Sequence, residues 1–312
     1  MDVVVLAGGL SHERDVSLRS GRRVAEALRE VGIPAEVADV DAQLIGSLHE
    51  RRPDVVLPML HGAAGEDGSI RDVLELLGLP YVGARADACR VAFDKPVAKA
   101  VVAASGVAVA DAVALPAEVF RELGAGVLLG AVEKRLGLPL VVKPTRGGSS
   151  LGMSVVRQAE ELPAAMVAAY AYGDTALIER FVSGTEVAVS VVAEGGGLRV
   201  LPAVEILPDS GVYDYAARYT AGTTQFFAPA RLGSDVAAAV ETAALSAHQA
   251  LHLRDLSRID LIVDGGVPYF LEANVAPGMT ETSLFPQAVA AAELGFGSVL
   301  AELVTAAADR HP

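Results

Sequence analysis

The chain has one cysteine, Cys89, in 312 residues. That excludes an internal disulfide framework and any cysteine-rich metal site, and it fits a reducing cytoplasm. Positive charge is also scarce: 25 Lys and Arg stand against 39 Asp and Glu, for a net charge of −14. So acidic a chain is a poor general binder of nucleic acid or anionic membrane, and neither is expected as a partner. A phosphorylated ligand would have to be held by a few locally placed cations. No stretch approaches the ~18 uninterrupted apolar residues of a membrane-spanning helix. The opening MDVVVLAGG has an acidic second residue and a short apolar run, so it reads as a first strand and not as a signal peptide. There is no internal repeat and no low-complexity tail.

What is present is the composition of a soluble globular protein, 52% hydrophobic and 21% charged, with length for two or three domains. Residues 3–7 are a β-branched run, broken by Gly8-Gly9. Val16, Val24, Ala27, Leu28 and Val31 then recur at helical spacing. A strand at 35–40, a helix from about 41, a strand at 54–60 and a helix ending near Gly78 continue the alternation of a doubly wound α/β domain. Ligands in such sheets sit at the carboxyl ends of strands, where Glu13 and His61 fall. Glu13 is placed to receive an ammonium group, and His61 opens the glycine-rich HGAAGEDG.

A second block has a strand at 112–115, helices near 117–123 and 128–136, and the strand LPLVVKP. The loop TRGGSSLG, a strand at 153–157, a helix at 159–172 and the strand ALIERFV follow. EVAVSVVAE and LRVLPAVEIL then flank a triple-glycine turn. This reads as an α+β unit, a small antiparallel sheet with helices on one face. Lys143 ends a strand just before Gly147, Gly148, Ser149 and Ser150, and such a loop offers backbone N–H groups to phosphates beside the lysine charge. It is not a P-loop, because GxxxxGK[ST] is absent. Glu179 and Glu186 bracket a strand junction, where they could meet adenine or ribose or face solvent. Residues 209–231 are polar, aromatic-rich and aperiodic; so long a loop is commonly functional or disordered, and the aromatics argue against disorder. A helix at 234–251 and a last one at about 299–307 complete the chain.

Residues 258–286, RIDLIVDGGVPYFLEANVAPGMTETSLFP, are the densest in chemistry. A strand at 259–263, a turn at Asp264-Gly265-Gly266 and a strand at 269–273 would set Asp260 beside Glu272 and Asn274. Three hard oxygen donors at a sheet end suit Mg²⁺ and substrate phosphates, with Arg258 as a nearby cation. A loop is expected to follow.

Together these segments resemble the D-alanine–D-alanine ligases of the ATP-grasp superfamily, in their shorter form. The likeness rests on GGLSHERDVSLRSG, HGAAGEDG, Asp94-Lys95, VVKP, GGSSLGM, IERFVSGTE, YDYAARYTAGTTQFFAPA, RIDLIVD and LEANVAPGMTETSLFP, in that order. It implies an ATP-grasp fold behind an N-terminal α/β substrate domain (1–93), with a central subdomain (94–183) and a C-terminal subdomain (184–312) carrying a lid at 209–231. It implies ATP as co-substrate, with Lys95, Lys143, Ser150 and Arg218 toward the phosphates. Glu179, Arg180, Phe181 and Val182 would line the adenine pocket, and Glu186 would take the ribose. Asp260, Glu272 and Asn274 would hold two Mg²⁺ ions, for which Mn²⁺ could substitute. Glu13 and His61 would serve the first D-alanine, and Ser283 and the Leu284 N–H the carboxylate of the second. Arg258 and the Gly278 N–H would form the oxyanion site, and Tyr219 would bridge through Ser149 to Glu13. A cytoplasmic homodimer is implied by the resemblance alone. The acceptor could be D-alanine, D-serine or D-lactate, with Tyr219 favouring an amine. A degenerate nucleotide binder is the rival from another class. The base for the acceptor amine is open among Ser149, His61 and the leaving phosphate. Three positions depart from the family pattern: Arg218 stands for a lysine, Gly147 for an acid, and Val275 for a threonine.

Overall fold

The chain is described by a computed structural model over residues 1–220 and 222–310; the side chains of Ala216 and Tyr219 also lie outside the described residues. Five buried residues, Val3–Ala7, form β1. A 17-residue helix α1 (Arg14–Glu30) then lays Val24, Ala25, Ala27 and Leu28 against the sheet. Gly21 permits the close approach, since a Cβ there would lie 2.5 Å from the Ala7 Cβ. Next come β2 (Ala35–Asp39), α2 (Leu44–Arg51), β3 (Val55–Pro58), α3 (Ala63–Glu66), α4 (Ser69–Leu76) and α5 (Ala86–Phe93). The strands form a parallel sheet in the order β2-β1-β3, as the alternating pattern predicts.

Helix α6 (Lys95–Ala104) is N-capped by Asp94, so the cap fixes the position of Lys95. The chain continues through β4 (Ala108–Val109), β5 (Ala112–Pro116), α7 (Ala117–Leu123), α8 (Ala125–Leu136), β6 (Leu140–Pro144), β7 (Ser154–Val156), α9 (Leu162–Tyr170) and β8 (Thr175–Arg180). Here the sheet is antiparallel, ordered β5-β8-β6-β7. Helices α8 and α9 supply Val132, Leu136, Leu162, Met166 and Ala169 to its core; this is an α+β unit smaller than expected, because EVAVSVVAE and LRVLPAVEIL leave it for the seven-stranded sheet.

A seven-stranded sheet follows, from β9 (Thr185–Glu194), β10 (Gly197–Val200), β11 (Val204–Pro208), α10 (Tyr215–Tyr219), β12 (Thr224–Phe227), α11 (Ser234–Ala250), β13 (Leu256–Asp264), β14 (Val267–Asn274), α12 (Leu284–Ala291) and α13 (Phe296–Ala308). Its order is β12-β11-β9-β13-β14-β4, with β10 also on β9. One face carries Val187, Val189, Ile259, Leu261 and Phe270 and packs on α5, α6 and α11. The other carries Ala188, Val192 and Leu256 and shares a core with α12, α13 and the N-terminal Val3, Val5 and Leu57. Side chains alternate along a strand, so Arg258 and Asp260 lie on the same face as Leu256.

Several expectations are corrected. LRVLPAVEIL is two strands, β10 and β11, not one. Leu201 N still donates to Ser190 O at 2.8 Å, but Pro202 has no N–H with which to continue the ladder. The segment 209–231 is not a bare loop, since it holds α10 and β12, the latter paired with β11. The loop expected through residue 286 ends at Ser283, where α12 begins. Asp260 is mid-strand, because β13 starts at Leu256.

Helix α12 reaches the shared core through Phe285, which is fully buried. Phe285→Ala is expected to cost about 3–5 kcal/mol, read as a lower urea midpoint, because it opens a cavity between the first and third sheets.

Candidate active site

The β13–β14 hairpin sets the centre of the site. Arg258 pairs in register with Asn274 and Asp260 with Glu272, and a bulge follows between Asp260 and Leu261. Like charges directly opposite on a sheet repel, and here each has its own cation. Arg258 donates Nε and Nη2 to the two Asp260 oxygens, both at 2.7 Å. Lys95 Nζ stands 3.3 Å from Glu272 Oε2. Burial pushes the Glu272 carboxyl up, but Lys95, then Arg218, Lys143 and Arg258, outweigh it and hold it at about 2. The Asn274 side-chain oxygen accepts from Ala276 N at 2.8 Å. Two carboxylates and an amide oxygen on one sheet face are the hard donor set a Mg²⁺-sized cation takes.

On one side of this centre lies a cleft between the central and third sheets. Its walls are apolar (Val141, Val155, Phe181, Val182, Ile262, Leu271), with Lys95, Lys143, Ser150 and Arg218 at its polar end. Glu179 and Arg180 line it too, with the Arg180 guanidinium held 3.6 Å from Asp111 and donating to Leu136 O at 3.3 Å. Glu179 does more than line the cleft. It forms ion pairs with Lys143 at 2.5 Å and with Lys99 at 2.9 Å, while Lys99 donates to Phe270 O at 3.1 Å. Burial favours the neutral acid, yet Lys143 and then Lys99 overcome this and hold Glu179 at about 2. Glu186 has no such pair of lysines. Burial pushes it up to about 7, against the opposing charge of Arg218.

The loop expected to face phosphates has an unusual backbone. Gly147, Ser149 and Ser150 all have positive φ, at 119°, 54° and 56°, and two of these are non-glycine residues in a sparsely allowed region. Lys95 Nζ donates to Gly147 O at 2.6 Å, Ser150 Oγ to Tyr213 O at 3.1 Å, and Arg218 Nε to Ser150 Oγ at 3.2 Å.

On the other side a larger cavity is lined by Glu13, His61, Ser149, Arg258, Gly278, Ser283 and Leu284. Ser149 Oγ donates to Glu13 Oε1 at 2.5 Å. His61 Nδ1 is 3.1 Å from Ala276 O, so Nδ1 carries the proton and Nε2 accepts from Ser20 Oγ at 3.2 Å. Burial lowers the His61 pKa, against the pull of Glu13. With both ring nitrogens engaged, His61 serves to fix the 274–283 loop to the first domain. Ser283 Oγ receives Thr280 N at 3.0 Å and begins α12, whose first-turn N–H groups, Leu284 included, have no partner within the helix. Gly278 is required here, because a Cβ would stand 2.8 Å from Ser283 Oγ. Tyr219 closes α10, but its side chain lies outside the described residues. The two cavities share Lys95, Gly147, Gly148, Tyr213, Arg218 and Glu272.

Sequence reasoning missed three groups. Lys99 is the fifth residue of a helix and carries no motif. Arg23 donates to Met279 O at 2.7 Å and Thr280 O at 3.0 Å, across 256 residues of chain. Glu66 lines the larger cavity; its place in HGAAGEDG was the one signal available.

Residues 101–305 match the family model described as D-ala D-ala ligase C-terminus, and residues 34–84 the one described as D-ala D-ala ligase N-terminus. A D-alanine–D-alanine ligase of Anaeromyxobacter sp. (strain K) is 44% identical over 98% of this chain and 96% of its own length. That of Desulforudis audaxviator (strain MP104C) is 40% identical over 98% of each. Among solved structures, the VanG D-Ala:D-Ser ligase from Enterococcus faecalis superposes with a TM-score of 0.84 at 26% identity, over 97% of this chain and 98% of that one. The D-alanine–D-alanine ligase from Bacillus anthracis, in its complex with ATP, gives 0.82 at 27%, over 99% and 97%. The fold is thus that of the ATP-grasp ligases. The chain belongs to the D-alanine–D-alanine ligase family.

Lys99→Met should leave the buried Glu179 with one lysine. A carboxyl held below its unfolded value contributes stability above about pH 4.5 and loses it as pH falls toward 2. The variant's Glu179 should protonate at higher pH, so acid unfolding followed by circular dichroism is expected to begin at a higher pH than in the parent. An unchanged acid transition would remove Lys99 from this role.

Proposed function

We propose that the protein ligates two D-alanines to D-alanyl-D-alanine with conversion of ATP to ADP and phosphate, for peptidoglycan precursor synthesis. The observation that carries this reading is the junction of the two cavities at Glu272, Lys95 and Arg218. A nucleotide in the apolar cleft would present its terminal phosphate there, to a carboxylate held in the larger cavity.

The donor set fits Mg²⁺, with Asp260, Glu272 and Asn274 as the residues that would hold it; the ion, or Mn²⁺ in its place, supplies charge neutralisation between phosphate oxygens during transfer. Lys95, Lys143 and Arg218 hold the phosphates, with backbone N–H groups around Ser150 beside them. Phe181 and Val182 flank the adenine, and Glu186, largely protonatable near neutral pH, meets the ribose hydroxyls. Glu13 receives the ammonium of the first D-alanine. Its carboxylate oxygen attacks the γ-phosphorus, the bond to ADP breaks, and a D-alanyl phosphate forms. The second amine attacks the acyl carbon, and Arg258 with the Gly278 N–H stabilises the oxygen of the tetrahedral species. Collapse expels phosphate, and the amine gives up its proton. With His61 Nε2 already accepting from Ser20, Ser149 or the departing phosphate is the better acceptor. Ser283 and the Leu284 N–H hold the second carboxylate. Segment 209–231, with Tyr219, covers the acylphosphate and excludes water. The same reading makes the enzyme a cytoplasmic homodimer.

Phosphate release with ATP, Mg²⁺ and a panel of D-alanine, D-serine and D-lactate tests this. D-Alanine should be the preferred acceptor. A preference for D-serine, the acceptor named for the VanG neighbour, or for D-lactate would reassign the acceptor. No D-alanine-dependent release would overturn the ligase reading. Glu272→Gln should retain the fold by circular dichroism and lose ~100-fold or more in turnover; near-parental turnover would remove Glu272 from the metal site.

A further inference from the structure

We propose that Glu66 is a second carboxylate receiver, alongside Glu13, for the ammonium group of the first amino acid, and thereby a specificity residue for α-amino substrates. This rests on the ligase reading for the identity of that amino acid. The two acids come from distant parts of the chain, Glu13 just before α1 and Glu66 at the end of α3, and both line the larger cavity. They meet over one glycine. Gly62, with φ at 80°, donates its N–H to Glu66 Oε1 at 2.9 Å. A Cβ on the same glycine would stand 3.3 Å from Glu13 Oε2. The other Glu13 oxygen, Oε1, accepts from Ser149 at 2.5 Å. Among the described residues Glu66 forms no ion pair within 4.0 Å.

Two carboxylates this close disfavour each other's charge unless a cation lies between them. Glu66 shows that strain: burial first, and the Glu13 charge second, push it up to about 7. The groups around it are Glu13, His61, Arg71 on α4, Cys89 on α5, Lys95 on α6 and Glu272 on β14. Of these Lys95 is already committed to Glu272 and Gly147, and Arg71 to Gly65 O. A substrate ammonium has three N–H donors and is the size of cation that two carboxylates can share. Its arrival would let Glu66 ionise beside Glu13, so binding near neutral pH releases a proton. A hydroxy acid has no ammonium and gains nothing from the pair.

The bland role for Glu66 is to cap the start of α3 through Gly62. Glu66→Gln separates the two, since a glutamine oxygen still accepts from Gly62 N–H while the charge is gone. D-Alanine binding is measured by calorimetry at pH 7 in two buffers of different ionisation enthalpy, with D-lactate as control. The parent should release about half a proton on binding D-alanine and none with D-lactate. In Glu66→Gln the release should vanish and the affinity for D-alanine fall ~10-fold or more, with ATP affinity and thermal midpoint unchanged. Parental D-alanine affinity in that variant overturns the proposal and leaves the ligase reading intact. A parent that binds D-alanine with proton release, yet makes no dipeptide, fails as a ligase while the ammonium assignment stands.

Discussion

The site depends on one electrostatic constraint, the placing of Asp260 and Glu272 directly opposite each other on paired strands. Unaided, a buried and a half-buried carboxylate at that spacing would destabilise the hairpin or take up a proton. Arg258 forks onto Asp260, and Lys95, at the capped start of α6, reaches Glu272. Each carboxylate of the pair is thus matched by a cation, and Lys95 lines both cavities. The centre is an anionic spot ringed by positive charge, on a chain that is otherwise short of it. That is how a protein with a net charge of −14 can offer a place for polyphosphate.

The surrounding architecture keeps this centre rigid and leaves its neighbours open. The face of the third sheet that carries Arg258 and Asp260 is continuous with the face that shares a core with the first sheet. Packing ends and the cavity begins along the same strand. The loop after β14 is clamped to the first domain from several directions: Arg23 on α1 holds its carbonyls, Ser20 on α1 receives Met279 N, and His61 after β3 reaches Ala276 O. A loop with so many long-range bonds behaves as part of the scaffold. It delivers Gly278, Ser283 and the start of α12 to the cavity without needing regular structure of its own.

How much of this the sequence made legible follows from how local each feature is. The hairpin was readable because a two-glycine turn between apolar runs sets register over a few residues, and Asp260, Glu272 and Asn274 came with it. The parallel sheet was readable from β-branched runs alternating with helical spacing. Lys99, Arg23 and Glu66 act across 80, 256 and 53 residues, on Glu179, Met279 and Glu13, and periodicity is silent about such partners. The split of LRVLPAVEIL shows a different limit: Pro202 was visible, but a proline can sit at a strand edge as well as break one. Helix α12 was hidden because its start, Ser283-Leu284, belongs to a motif already read as loop.

Arg218 illustrates how a departure from a family pattern becomes intelligible only in three dimensions. By resemblance a lysine is expected there. In this chain the guanidinium lies over the Tyr213 ring, 4.3 Å from its centroid, and its Nε donates to Ser150 Oγ at 3.2 Å. A planar, weakly hydrated cation can stack and hydrogen-bond in one pose, which a compact ammonium on a flexible stem does not. Its charge acts on both Glu186 and Glu272, one in the nucleotide cleft and one at the junction of the two cavities. The arginine therefore ties the segment 209–231 to the 147–150 loop. Lysine could supply the same charge to a phosphate but not the same pre-set position, so at this residue the chain trades reach for order.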